Sequence, residues 1–573
     1  MIGLVTTTAA GVRAAAEIEA ALPECRPFAV RDLGEAWACC DQLVVFLATG
    51  ATVRLIAPLL KGKDVDPGVV CVDEARRFAV ALVGGHGGGA NDLAEQVAAV
   101  LGAEPVVTTA TDSTELPGLD TWSWPVEGDV ARVSRALLDG DPVRLHMPRV
   151  WPIPPLPVMS PLPVLPPLPV MNGIRTGATE ASGTHADSVH ALVVAVTDEV
   201  VEADVVIRPP SLVLGIGASR GVTVEELDQL ITTTLEEQGL SARSVSLVAT
   251  VDAKAEEPGI VALCARTGWQ LVSHPAEVLA TTEVPNPSQH PLDAVGTPSV
   301  AEAAALQHGD LVVEKTKSAM ATVAVSRIRP RGRLSIVGLG PGARDLLTPR
   351  AVEALRSSSV WVGLDQYVDQ VRDLARPGTR FVETPLGKEE ERAHSAVAEA
   401  AKGHAVALLG SGDAQVYAMA SPALEVADTD IDVEVVPGVT AALAAGALLG
   451  APLGHDHASI SLSDLHTPWP AIEARIQAVA EADVVVSFYN PRSRGRDWQL
   501  PKALSILSAH RPPTTPVGVV TNASREGQQV HLTTLAELDV ELVGMFSLVT
   551  VGSSQSRFVA GRFVTPRGYR WST

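Results

Sequence analysis

Short apolar runs that break into glycine-rich turns and resume as amphipathic helices recur along most of this chain, and that alternation leaves few folds open. "QLVVFLATG" leads into "ATVRLIAPLL", "FAVALVGGHGGGA" into "NDLAEQVAAVLG", and "SLVLGIGASRG" into "VTVEELDQLITTTLEEQG". Strand, turn and helix in that order build parallel sheets covered by helices, with the turns at the carboxyl ends of the strands, where open α/β sheets bind ligands. Apolar residues make up 46% of the chain and aromatics only 4%, which suits packing through small aliphatic side chains. The expected class is α/β. A chain of 573 residues exceeds what one core organises, so it is multidomain.

The clearest interruption is "WPIPPLPVMSPLPVLPPLPVM", residues 151–171, where repeated proline removes the amides a helix or central strand needs. It reads as a spacer between domains, roughly 60 Å long if fully extended as polyproline II. The polar "NGIRTGATEASGTHADS" after it reads as flexible. A second, short and basic joint is "SRIRPRGR", residues 326–333. The expected segments are 1–124, 125–209 containing the proline-rich linker, 210–329, and 333–573.

A net charge of −22 repels phosphate backbones and anionic headgroups, so neither nucleic acid nor membrane is an expected partner. The opening residues lack a basic leader, and no apolar run reaches the length of a spanning helix, so the expected location is cytoplasmic. Cys25, Cys39, Cys40, Cys71 and Cys264 contain no C-x-x-C pair; they read as buried free thiols, with no metal site.

"LSIVGLGPGARDLLTPRAVEAL", residues 334–355, poses the sharpest functional question. Gly338, Gly340 and Ala343 fit the G-x-G-x-x-A dinucleotide fingerprint, and Asp365 follows at a suitable distance. In that fingerprint the helix opens within the glycine motif, so that its amino end faces a pyrophosphate. Here the best start signal is later, with Thr348 as cap and Pro349 at the first helical position. Pro341 also deletes an amide. The loop therefore reads as a wide, stiff turn; dinucleotide binding, a purely structural turn and a different ligand all remain open on these residues alone.

"GLGPG", "GSGD", "PGVTAA", "HDHASISLSDLHTPW" and "FYNPRSRGR", in that order, resemble the tetrapyrrole (corrin-ring) methyltransferase family, and most closely its precorrin-3B C17-methyltransferase branch, over all of residues 333–573. "FLATGATVRLIAPLL", "GGHGGGANDLAEQVA" and "VTTATD" resemble the amino-terminal domain of the cobalt-precorrin-5A hydrolase family; "GIGASRGVTVEEL", "ATVDAKAEEPGI" and "SVAEAAAL" resemble its carboxyl-terminal domain. The resemblance implies small α/β domains in the first half and a two-lobed methylase fold in the second. It implies a bifunctional cobalamin-biosynthesis enzyme: C17 methylation with ring contraction of precorrin-3B to precorrin-4, using S-adenosylmethionine as cofactor, and lactone opening of cobalt-precorrin-5A with release of acetaldehyde. The alternative is a methyltransferase fused to a non-catalytic tetrapyrrole-binding module.

Carried over onto this sequence, the family motifs imply Gly410, Gly412, Asp413, Val416, Thr440, Ala441, Tyr489 and Ala523 as cofactor-binding residues. Glycines let the backbone approach closely, and a carboxylate at Asp413 can accept donors from the cofactor. A substrate ringed by acetate and propionate groups needs local positive charge, and Arg492, Arg494 and Arg496 supply forked guanidiniums; these three and Pro341 are taken as substrate-binding. For lactone hydrolysis, His86 in its glycine turn is the expected catalytic base, with Asp112 as its partner. No acid or base is assigned for ring contraction, and His455, His457 and His466 suggest no metal site. A homodimer through the methyltransferase segment is expected.

Overall fold

In a computed structural model, the described residues are all except 63–64, 86, 109–115, 120–121, 123, 159–190, 494 and 570–573. The chain divides into a first unit of Met1–Arg149 and Leu156–Pro330 and a second of Val150–Pro155 and Arg331–Thr573. Both are mixed α/β, and the division at Pro330 falls inside the short basic joint.

In the first unit, Cys25–Ala29, Ile2–Thr6, Gln42–Phe46 and Gly68–Val72 pair in parallel, and an antiparallel neighbour, Phe78–Val83, carries Glu104–Val106 at the edge. The third sheet places Gln270–His274, Val245–Val251 and Leu212–Ala218 in parallel and closes with the antiparallel pair Ala321–Arg327 and Asp310–Lys317. Its first helix, Val224–Glu237, starts as the sequence indicates, with the Thr223 hydroxyl accepting from Glu226 N at 3.2 Å. The reciprocal half of that capping box is absent: the Glu226 carboxylate accepts from Ser318 Oγ and Met320 N instead.

Between these sheets lies a smaller one in which Val143–His146 and Leu192–Val196 are parallel neighbours, Val143 opposite Leu192. This corrects the reading of the proline-rich run as a spacer between domains. Its two flanks are adjacent strands, so it is an insert within a sheet. Trp151, Ile153 and Leu156, at the start of the run, are buried; residues 159–190 lie outside the described residues. The thiols also divide, since Cys40, Cys71 and Cys264 are buried but Cys39 is exposed.

In the second unit, Arg380–Thr384, Val360–Leu364, Ala405–Gly410, Arg333–Gly338 and Asp432–Val436 form a wholly parallel sheet in that spatial order. Helices cover both faces, one through Ala393, Ala396 and Ala400, where small side chains permit close approach. Trp361 is fully buried on the other face, its indole N–H donating to Leu355 O at 3.0 Å and its ring set edge-on to Phe381. A second, mixed sheet orders His457–Ser461, Val485–Tyr489, Ser547–Val551, Pro516–Thr521 and Gln529–Thr534. Its registers put the carboxyl ends of His457–Ser461, Val485–Tyr489 and Pro516–Thr521 on one edge. Among the described residues no helix is long and apolar enough to cross a membrane.

A buried charge pair ties the small sheet of the first unit to the strand Ala321–Arg327. Asp198, 3% exposed, accepts from both arms of Arg327 at 2.7 and 2.8 Å and from Ser211 Oγ at 2.6 Å. Asp198→Ala removes the fork partner and leaves the largely buried guanidinium only Glu199, at 3.6 Å, and is expected to lower the urea stability of this unit by about 2 kcal/mol; a change below about 0.5 kcal/mol contradicts the assignment.

Candidate active site

Three glycine turns meet at the carboxyl edge of the parallel sheet. The turn after Arg333–Gly338 is closed against the one after Ala405–Gly410 by backbone pairing: Leu339 N donates to Gly410 O at 2.9 Å, Gly340 N to Gly412 O at 3.0 Å, and Gly412 N to Gly340 O at 2.8 Å. These contacts decide against dinucleotide binding. The amides that would face a pyrophosphate are engaged by neighbouring carbonyls, and the helix begins only at Pro349, with the Thr348 hydroxyl accepting from Ala351 N.

The third turn, from Pro437 to Thr440, packs into the other two with no room for a side chain. A Cβ on Gly338 would lie 2.8 Å from both Gly412 O and Gly438 N, and one on Gly438 would overlap Gly412 O. Asp413 anchors this arrangement: one carboxylate oxygen accepts from Gly438 N at 3.0 Å and the other from Gln415 N at 2.9 Å. Thr440 then caps the position from which the helix Ala441–Leu449 runs.

The edge of the mixed sheet meets these turns through side chains. Tyr489, at the end of its strand, accepts from Ala442 N at 2.9 Å and shares a 2.6 Å hydrogen bond with Thr440 Oγ1. Desolvation raises the Tyr489 phenol above its ordinary value, so it stays a neutral hydroxyl at physiological pH. Tyr417 crosses in the opposite direction, its hydroxyl donating to Ser459 O at 2.9 Å and accepting from Ser461 N at 3.1 Å, with its ring 5.1 Å from that of Tyr489. Arg525, in the turn of the Pro516–Thr521 hairpin, reaches back with Nε on Pro341 O and Nη2 on Ser411 Oγ at 2.8 Å. Tyr417, Asn490, Asn522 and Ser524 all hold left-handed backbone, φ between +48° and +60°, which side chains other than glycine adopt at a cost and which concentrates at functional sites.

A family model of the tetrapyrrole (corrin/porphyrin) methylases matches residues 333–539. The probable cobalt-factor III C(17)-methyltransferase of Salmonella typhimurium is 46% identical over 239 residues, which is 41% of this chain and 99% of that protein. The chain belongs to the tetrapyrrole methylase family. The cobalt-factor III methyltransferase of Priestia megaterium is 41% identical over 247 residues, 42% of this chain and 46% of that protein. The precorrin-3B C(17)-methyltransferase of a Sinorhizobium species is 36% identical over 40% of this chain and 91% of its own length. Ahead of the methylase unit, residues 32–112 match the amino-terminal domain, and residues 212–326 the carboxyl-terminal domain, of cobalamin synthesis G proteins.

Within the methylase unit, Gly410, Gly412, Asp413, Thr440, Ala441 and Tyr489 lie at one seam, and Ala441, Tyr489 and Ala523 pack against a single apolar cluster around Ala445 and Phe563. Val416 is half-buried in the same loop as Asp413. Asp413 fixes the turn through one backbone amide on each oxygen, which leaves carboxylate lone pairs over for further donors. The arginine group also divides. Arg492 is already engaged, its Nη2 donating to both oxygens of the exposed Glu541 at 2.8 and 2.9 Å and its Nη1 to Val540 O, so a substrate carboxylate would have to compete with Glu541. Arg496 donates to Ser463 Oγ at 3.2 Å, while its buried Nε has no partner among the described residues. Arg494, His86 and Asp112 lie outside the described residues.

Tyr417 and Arg525 escaped the sequence reading; the one available signal for Arg525 was a cation in the "NASREGQ" turn after an apolar strand. Among the described residues no cluster of His, Cys, Asp and Glu could hold a metal ion. His455 and His457 make only local contacts, the former accepting from Asp456 N.

The packing gives a direct test. Gly438→Ala pushes a methyl into Gly412 O, and is expected to lower the thermal midpoint of the methylase unit by several degrees and to weaken ligand binding at the seam. Wild-type melting and binding in that variant would show that the turns are not interlocked.

Proposed function

We propose that the methylase unit transfers a methyl group from S-adenosylmethionine to C17 of a precorrin-3B-type macrocycle, with ring contraction to the precorrin-4 type, in cobalamin (corrin ring) biosynthesis. The single observation that carries this reading is the meeting of the glycine turns with Thr440 and Tyr489 at the seam, in a chain 46% identical to a named C17-methyltransferase over nearly all of that protein. The macrocycle carries cobalt in this reading, because the relatives at 46% and 41% identity are named for cobalt-factor III and the one named for precorrin-3B stands at 36%.

When bound, the sulfonium supplies an already electrophilic methyl group, so the protein's contribution is alignment and proximity. Gly412, buried and with its amide and carbonyl on Gly340, lies beside the partly exposed Thr440 and Ala441, which give the cofactor close approach there. Tyr489 fixes the Thr440 hydroxyl and the first turn of the following helix, and keeps a neutral hydroxyl at the seam. Ala441 and Ala523 offer small apolar walls.

The cobalamin synthesis G domains support a second activity, hydrolysis of the lactone of cobalt-precorrin-5A with release of acetaldehyde, for which His86 is the proposed base and Asp112 its partner. The two reactions are not consecutive, yet one chain keeps both sites at high local concentration around a labile class of intermediates.

Calorimetric titration of the full chain with S-adenosylhomocysteine, followed by mass analysis of macrocycle incubated with S-adenosylmethionine, tests the first activity. Saturable binding and a gain of one methyl on the cobalt-bearing macrocycle are expected; no binding rejects the reading. Acetaldehyde release should be lost in His86→Ala while methyl transfer persists. Release that never occurs in wild type leaves the front half as a binding module.

A further inference from the structure

Resting on the methyltransferase reading, we infer that Arg525 is a receptor for a peripheral carboxylate of the macrocycle, and that this guanidinium, rather than that of Arg492, recognises the polyanionic substrate. A guanidinium carries five N–H donors. Arg525 places only Nε, on Pro341 O, and one Nη2 hydrogen, on Ser411 Oγ, so both hydrogens of Nη1 and the second of Nη2 have no acceptor among the described residues.

Neither acceptor is charged, and no carboxylate among the described residues lies within ion-pair distance of Arg525. Elsewhere in the unit Arg344 is paired with Asp373, Arg350 with Glu434, Arg380 with Glu399 and Arg492 with Glu541, whereas the buried Arg511 is spent on the carbonyls of Gly552 and Val484. What sets Arg525 apart is that it is half-buried among the turns that build the seam and still has donors without acceptors there.

The placement is held in advance. Left-handed backbone at Asn522 and Ser524 turns the hairpin toward the glycine turns. The side chain lies flat under Gly342, where a Cβ would stand 2.7 Å from Arg525 Nε. Two fixed bonds aim the remaining fork, and such a planar fork matches a carboxylate bidentately at little further loss of side-chain freedom.

The test uses the full chain, a porphyrin octacarboxylate and a porphyrin tetracarboxylate as fluorescent probes, and S-adenosylhomocysteine in a separate titration. In Arg525→Gln, octacarboxylate affinity should fall about tenfold or more and lose most of its salt dependence. Tetracarboxylate affinity should fall less, and S-adenosylhomocysteine affinity should stay within about twofold of wild type. Arg525→Lys, which keeps the charge without the fork, should lie between and covers the case in which the glutamine variant melts early. Unchanged octacarboxylate binding, or equal losses for both porphyrins and S-adenosylhomocysteine, overturns the inference and leaves the methyltransferase reading intact. A wild-type chain that binds neither porphyrin nor S-adenosylhomocysteine overturns both.

Discussion

Backbone packed directly against backbone is the constraint on which the site depends. At the carboxyl edge of the parallel sheet three turns approach more closely than any side chain allows, with Gly338 and Gly438 filling the space that a Cβ would need. Parallel strands deliver their carboxyl ends to one edge as a matter of topology. What is particular here is that the turns then engage one another, carbonyl to amide, from Leu339 to Gly412. The first turn is thereby unavailable as an anion cradle and becomes a rigid floor.

The second consequence is division of labour between the two sheets. The parallel sheet contributes backbone, and the mixed sheet contributes the chemistry-bearing side chains Tyr489 and Arg525. Tyr417 runs the other way and ties the loop of Asp413 to the strand His457–Ser461. Left-handed φ at Tyr417, Asn490, Asn522 and Ser524 places local strain at these crossings rather than in the sheets, where buried aliphatic clusters can hold the loops in place.

Much of this was legible in the sequence because it is local. Thr348 and Pro349 announce a helix within a few residues, and with Pro341 they weighed against a dinucleotide loop without closing the alternatives. The glycine turns were visible one by one, and the α/β class followed from their alternation with apolar runs. The unread parts depend on long-range partners. The contact of Arg492 with Glu541 spans 49 positions and that of Arg525 with Pro341 spans 184, distances over which the sequence carries no local signal. The proline-rich run had the composition of a tether, but only pairing of Val143 with Leu192 reveals that its ends return to one sheet.

The central claim is that the interlocked turns present Gly412, Thr440, Ala441 and Tyr489 to a sulfonium donor at the seam between the two sheets. A crystal structure of the chain grown with S-adenosylhomocysteine addresses it most directly. The account requires the ligand to sit against those residues, its sulfur directed toward the side on which Arg525 stands. Density for it elsewhere in the chain, or a seam left unchanged and empty at saturating concentration, would contradict the account.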